Sequence, residues 1–216
     1  MAQPPAQTSP LNRDRIVAAA IGIIESEGVS ALSMRKLAAA CDAAPMSLYR
    51  HVATKEDLLR EVADYYMADV QLPDTETLAW DAAIKTLVLA IAAGFEAHPQ
   101  LADIMSVAPL DAAAILDAME RITAALRMAG FDDEAVTSAL AMLTSYATGH
   151  AHRRAERRSA PAAQARRLAR LEQEPQRFAT LLALGDRLAS LDTDERFAEG
   201  LDIMLAVLRL ARPSAD

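Results

Sequence analysis

SMRKLAAACDAAPMSLYRHVATKEDL, residues 33–58, sets short helical patterns against sharp stops. Ser33 is suited to N-cap a helix whose apolar face is Leu37, Ala38 and Ala40. Cys41-Asp42-Ala43-Ala44 breaks that pattern, and Pro45 follows where the first turn of a helix tolerates a missing N–H. The helix that Pro45 opens is expected to be short, about two turns, with Leu48 and Val52 spaced for packing. Met46, Ser47, Tyr49, Arg50 and His51 are left on or near its outward side. Thr54 followed by Asp57 is a variant capping box that puts Lys55 in the first turn of a third helix.

Ser, Tyr, Arg and His displayed on so short a helix suit a surface that reads them. The major groove of B-DNA admits one helix, and its base edges suit Arg and hydroxyl side chains. Phosphate oxygens suit Tyr, Lys and a helix N-terminus. A helical hairpin whose polar residues merely face water fits the same spacing. The pattern alone leaves both readings open.

A wider match separates them. Residues 13–65, with the opening RIVAAAIGIIESEGVSALSMRKLA, the core LYRHV and the following KEDLL, resemble the N-terminal domain of the tetracycline-repressor (TetR) family of bacterial transcription regulators. The turn departs from the family's Leu-Gly-Val-like segment, since this chain has Cys41-Asp42-Ala43. Asp tolerates a left-handed backbone better than most residues, so the turn is expected to survive. The resemblance implies that Arg35 reaches a base edge; Ser47 and Arg50 are by their chemistry the other base-reading candidates, with Met46 able to touch a thymine methyl. Tyr49, His51 and Lys55 are then expected on phosphates.

Composition agrees with a helical chain. Hydrophobic residues make up 52% and aromatics only 4%, so the core must be mostly Ala, Leu, Ile, Val and Met. The sole cysteine, Cys41, permits no internal disulfide and has no partners for metal or nucleophile chemistry; a small packed residue is expected. No apolar run approaches the ~18 residues that cross a bilayer. MAQPPAQTSP lacks a basic start and an apolar centre, so residues 1–11 read as a disordered arm and the protein as cytoplasmic, with no membrane partner. The net charge of −8 is uneven. Residues 1–60 hold seven Lys/Arg against six Asp/Glu, and the remainder fifteen against twenty-four. That division assigns DNA to the first part, and so small a basic footprint points to two subunits on the DNA.

The expected architecture is all-α: a helix-turn-helix unit with its linker helix over 12–70, then a larger helical effector-binding and dimerisation unit over 71–216. The first helix runs from Asn12 to Gly28 with Ile16, Ala20, Ile23 and Ile24 inward, and the fourth from Lys55 to about Val70, broken by Pro73. Later helices are expected over 77–97, 100–107 (stopped before Pro109), 111–129, 132–158, 175–191 and 194–210. The Arg-rich stretch 153–170, containing Pro161, reads as a loop with a helical fragment. The last helix sets Phe197, Leu201, Met204, Leu205 and Leu208 on one stripe, with Gly200 allowing close approach. Trp80, His98-Pro99, LRMAGFDDEAV, SYATGHAHRRAERR and FAEGLDIMLAVL resemble the C-terminal domain of the same family. The resemblance implies a small inducer and a homodimer built on helices 132–157 and 194–210.

Apolar residues of the middle helices are the expected effector wall: Leu87, Ile91, Phe95, Met105, Met119, Met142 and Tyr146, with Ile104 and Leu116 beside them and Tyr146 or His150 as an orienting group. Any of them also fits a plain core. Positions matching the tetracycline repressor's polar drug and magnesium residues are Asp69, Leu87, Ile91 and Ile104, so the resemblance implies no magnesium–tetracycline site. His150 and His152 are two apart, about 200° around a helix, and cannot share an ion; no metal and no cofactor are expected. No HExxH, GxSxG or phosphate-binding glycine loop occurs, which speaks against an enzyme. The expected activity is therefore a dimeric repressor of a palindromic operator, released by a small hydrophobic or amphipathic inducer. The alternative is a helical protein-interaction module of the same fold without an inducer, which a solid core would favour.

Overall fold

The computed structural model describes residues 10–105, 107–108, 111–160, 162–190 and 193–212. Every regular element among them is helical, so the chain is all-α. Residues 1–9 of the expected arm, Pro109 and Pro161 lie outside the described residues. Leu11 does not belong to a free arm: it packs against the core cluster that holds Ile16. A hydrophobic residue before the cap and another at the fourth helical position form a hydrophobic staple.

The N-terminal helices follow their caps. The Asn12 side chain accepts from Arg15 N–H to start α1 (Arg13–Glu27), and Gly28 at φ 84° ends it. Ser33 accepts from Lys36 N–H to start α2 (Met34–Ala40). The reversal that follows uses Asp42 at φ 47°, the one non-glycine residue in the left-handed region among those described. Pro45 opens α3 (Pro45–Leu48), which is a single α-helical turn rather than two. The chain then tightens, with His51 N–H donating to the Leu48 carbonyl at 2.8 Å. Thr54 Oγ1 accepts from Asp57 N–H at 3.0 Å and donates to the Asp57 carboxylate at 2.8 Å, starting α4 (Lys55–Met67). That hydroxyl contact is the main reason the Asp57 carboxyl sits below its ordinary range.

α4 ends three residues earlier than Val70, and Pro73 has no part in ending it. The residues at and beyond this end pack against α5 (Trp80–Ala97). Gly94 leaves room there for Val70 and Met67; a Cβ on Gly94 would lie 2.6 Å from Val70 Cγ2. After α6 (Gln100–Met105) and α7 (Ala113–Met128) comes the long α8 (Asp133–Ser159). The Arg-rich stretch is no loop. Residues 153–159 continue α8, the pre-proline Ala160 turns away at φ −137°, and α9 (Ala162–Glu172) follows, as suits its Ala and Arg content. The helix expected over 175–191 is instead the single turn α10 (Ala179–Leu182) and a 3-10 segment, Gly185–Ser190, interrupted where Gly185 takes φ 52°. α11 (Asp194–Ala211) closes the described chain.

Two apolar clusters organise these helices. The first joins Ile16, Ile24, Leu37, Leu48, Leu58 and Leu59 to Ile91, Phe95, Leu101 and Ile104, so it runs without a break from α1 into α5 and α6. The second gathers Ile84, Leu87, Leu126, Leu143, Phe197, Leu201 and Leu205 from α5, α7, α8 and α11. Each fully buried aliphatic side chain contributes about 1.5–3 kcal/mol. In the second cluster Phe197 is stacked between Tyr146 (4.9 Å) and His150 (4.3 Å), and Tyr146 Oη donates to the Phe197 carbonyl at 3.0 Å. Gly200 is what admits the Tyr146 hydroxyl, which a Cβ there would overlap. The close approach assigned to Gly200 is thus internal to the subunit. Gly200→Ala should lower stability by about 1–3 kcal/mol, read in thermal denaturation, and less so when Tyr146 is also replaced by Ala.

Candidate nucleic-acid interface

The helix-turn-helix is held from behind. Leu37, Ala38, Cys41, Leu48 and Val52 are all buried against α1 and α4. Burial pushes the Cys41 thiol up, against the opposing charge of Arg15, and leaves it a packing residue. Arg15 also donates to the Cys41 carbonyl at 3.0 Å, so α1 fixes the turn that sets α3. Nothing in the local pattern signalled this contact, because its partners lie 26 residues apart.

On the outer side, Met46, Tyr49 and Arg50 are exposed on α3 and the turn beyond it, while Ser47 and His51 are half-buried. Arg35 is exposed at the second position of α2, and Lys55 is half-buried at the first position of α4. All seven expected DNA residues thus lie on α2, on α3 and its following turn, or at the start of α4.

Ion pairing sorts the cations of this region. Arg13 is bidentate on Glu61 at 2.6 Å, Lys36 pairs with Glu27, and Arg60 lies 2.9 Å from both Asp57 and Asp111. Arg15 is spent on Cys41. Arg35, Arg50 and Lys55 have no carboxylate partner among the described residues. Within the first sixty residues, the cations left available for an anion are those displayed by the motif.

This surface is tied to the rest of the chain through α4. Asp64 Oδ1 accepts from the N–H of Ala113, capping α7 at 3.1 Å, and Arg60 reaches Asp111 just before it. Tyr66 stacks on His98 at 4.9 Å, and burial, then nearby Glu25, pushes its hydroxyl up to about 12. His98 caps the end of α5 and also carries this contact, a role its place before Pro99 did not reveal.

The expected effector wall does not form one surface. Leu87 is buried in the second cluster, Ile91, Phe95 and Ile104 in the first, and Met105 packs against the first. Met119 and Met142 are half-buried, Leu116 is exposed, and the hydroxyl of Tyr146 is spent on α11. His150 is buried 3.3 Å from Asp194, joining α8 to α11; burial lowers its pKa, opposed by that carboxylate. An open cleft of about 310 Å³ lies elsewhere, lined by Val70, Leu72, Ala114, Asp117, Glu120 and Arg121, none of them in the expected wall. Apolar spacing reports burial, and burial does not distinguish core from ligand wall. Among the described residues no cluster of His, Cys, Asp or Glu is disposed to hold a metal, and no helix is long and apolar enough to cross a membrane.

The expected dimer stripe needs correction. Phe197, Leu201 and Leu205 are buried in the subunit's own core, and Met204 and Leu208 are half-buried against it. The apolar residues that α11 leaves to solvent are Ile203 (67% exposed), Val207 (56%) and Leu210 (88%). The helix is apolar on two sides, and the wider stripe serves the core.

Comparisons with known proteins cover both parts of the chain. The family model described as bacterial regulatory proteins, tetR family, matches residues 16–62, and that for the tetracyclin repressor-like C-terminal domain matches residues 72–211. An HTH-type transcriptional repressor of Streptomyces coeruleorubidus is 33% identical over 65% of this chain. The match spans about half of that relative's length, 53%. The TetR family protein ActR of Streptomyces coelicolor, solved in complex with actinorhodin, is 32% identical, with a TM-score of 0.79 over 96% of this chain and 100% of that one. BioQ with its double-stranded DNA operator is 31% identical, with a TM-score of 0.60 over 68% of this chain and 90% of that one.

Replacing Arg35 or Arg50 with Ala should each cost about 1–3 kcal/mol of DNA binding and relax base preference locally. Lys55→Ala should weaken all sequences about equally and flatten the salt dependence. Fluorescence anisotropy at several salt concentrations separates the two behaviours, and full affinity with unchanged preference in both arginine variants would remove them from the readout.

Proposed function

Because this chain belongs to the tetracycline-repressor family of bacterial regulators, we propose that it is a cytoplasmic transcriptional repressor that binds a palindromic operator as a homodimer. The observation that carries the reading is the division of cations: Arg35, Arg50 and Lys55 stand unpaired on the helix-turn-helix, whereas Arg13, Lys36 and Arg60 are neutralised within the chain. An unpaired guanidinium on an exposed turn is ready for guanine or phosphate without first breaking an ion pair. The net negative remainder of the chain discourages contact with DNA elsewhere.

The dimer reading rests on α11. Ile203 and Val207 lie one turn apart, and Leu210 extends the row, giving the outer face of a terminal helix a row of large apolar groups. The outer residues of α8, among them Thr137, Ala141, Thr144 and Ser145, are exposed and small, which lets helix axes approach closely. Two copies of α8 and α11 related by a two-fold axis would bury both faces in a four-helix contact.

A small amphipathic effector is the third part of the proposal, and the likeness to ActR, solved in complex with actinorhodin, supports a small-molecule ligand. The cleft between the 70–72 segment and α7 supports it, because Ala114 and Asp117 stand directly beyond the N-terminus that Asp64 caps. A ligand there would act on the joint between α4 and α7, and regulation would follow from its different affinity for two arrangements of that joint. Ala114→Phe fills the cleft, so a thermal-shift screen of amphipathic compounds should yield one that stabilises the wild type and not this variant. Ligands that stabilise both proteins equally would place the effector elsewhere.

For the dimer, Ile203→Glu combined with Val207→Glu should give a folded monomer with little operator affinity, since one half-site offers few contacts. Leu201→Ala should instead cost about 2–5 kcal/mol of stability, as a core truncation does. Light scattering with circular dichroism distinguishes these outcomes, and an intact dimer in the double variant would move the interface off α11.

A further inference from the structure

We propose that Met46 selects a thymine in each operator half-site through the base's 5-methyl group, an inference that rests on the DNA-binding reading above. Met46 is 75% exposed, more than Tyr49 (47%) or Tyr65 (60%), the other exposed large apolar residues among those described up to residue 67. It contributes nothing to the core, because Leu48 and Val52 bury the opposite side of the same turn. Helical spacing instead puts Met46 on one face with Tyr49 and Arg50. The start of a recognition helix is the part that meets base edges, and Met46 is the second residue of α3.

The chemistry at that point is restrictive. Pro45 has no N–H, and the N–H of Ser47 is already given to the Ala44 carbonyl at 2.9 Å. A thioether donates no hydrogen bond and accepts only weakly. The side chain at position 46 therefore has no means of reading the donors and acceptors that distinguish guanine, adenine and cytosine. The major-groove edge carries one apolar group, the thymine methyl, and cytosine has only hydrogen at that carbon. An unbranched, adaptable methionine suits a methyl whose exact position varies with the bend of the duplex. A phosphate contact by this side chain is ruled out by the lack of a donor on the thioether. Discrimination at this position is therefore between bases with and without a 5-methyl group.

The test removes that methyl alone. Duplexes that bind full-length protein are recovered by repeated selection from a randomised pool, and each thymine of the recovered site is replaced in turn by uracil, which keeps every hydrogen-bonding group. One thymine per half-site should show a loss of about fourfold on substitution, the worth of one buried methyl, and about fifteenfold when both half-sites are changed. The loss should vanish in Met46→Ala and persist in Met46→Leu, which keeps an apolar side chain; circular dichroism confirms that both fold. A wild-type protein indifferent to every uracil substitution would overturn the inference while leaving DNA binding intact. Uracil sensitivity that survives in Met46→Ala would assign the methyl to another residue and equally overturn it. If selection enriches no sequence, the DNA-binding reading itself fails and this inference with it.

Discussion

One helix has two masters, and the rest of the chain is arranged around that constraint. α4 buries Leu58, Leu59 and Val62 against the helix-turn-helix and Met67 against Gly94 of α5. Between those contacts, Asp64 supplies the cap for α7 and Arg60 pairs with Asp111 at its threshold. A cap is worth about 1 kcal/mol to the helix it starts, so α7 is most stable when α4 stands in one position. The continuity of the first apolar cluster from Ile16 through Ile104 adds to this, since a packed interior shifts between discrete arrangements instead of deforming smoothly. The recognition turn is therefore not a freely hinged unit. Its placement follows from how α4 sits on α5 and α7.

The same economy governs charge. Surface ion pairs contribute little to stability, about 0–1 kcal/mol each, so the pairs of Arg13, Lys36 and Arg60 matter less as glue than as a way of removing cations from the surface. What they leave is a potential concentrated at Arg35, Arg50 and Lys55. With an acidic remainder repelling phosphate, a duplex is guided to one face. Three unpaired cations make a modest electrostatic footprint, so in the proposed dimer specificity falls to groove contacts such as that proposed for Met46, and affinity to the second copy.

Local chemistry was legible in the sequence wherever a residue acts on its own neighbours. Asn12, Ser33 and Thr54 each cap the helix expected of them, and Asp42 takes the left-handed turn. The outward placement of Met46, Tyr49 and Arg50 followed from the spacing of Leu48 and Val52. What escaped was long-range or two-sided. Arg15 holding Cys41, Tyr66 on His98 and Asp64 on α7 join residues far apart in the chain, and no periodicity encodes such meetings. An effector wall could not be told from core, because Leu87, Ile91 and Phe95 are apolar for the same reason whether they meet each other or a ligand. On either side of the break at Ala160, the Ala- and Arg-rich composition favours helix, which is why α8 runs to Ser159 and α9 follows from Ala162.

α11 is where the two-sidedness has most consequence. Its inner stripe, Phe197, Leu201 and Leu205, is locked to α8 by the stack of Tyr146 and His150 and by the room that Gly200 leaves. Asp194 at its start is bound by Arg154, which also holds Glu96 of α5. Lys85 and Arg209 tie α5 and α11 together further along, through Asp202 and Asp81. The outer row of Ile203, Val207 and Leu210 is thus carried on a helix with no freedom to turn relative to α5 and α8. A partner seated on that row would be fixed to the same frame against which α4 and α7 adjust. In the proposed dimer, a shift at the α4–α7 joint then has one outlet, the separation of the two recognition turns, because the contact between the subunits is braced from within each of them.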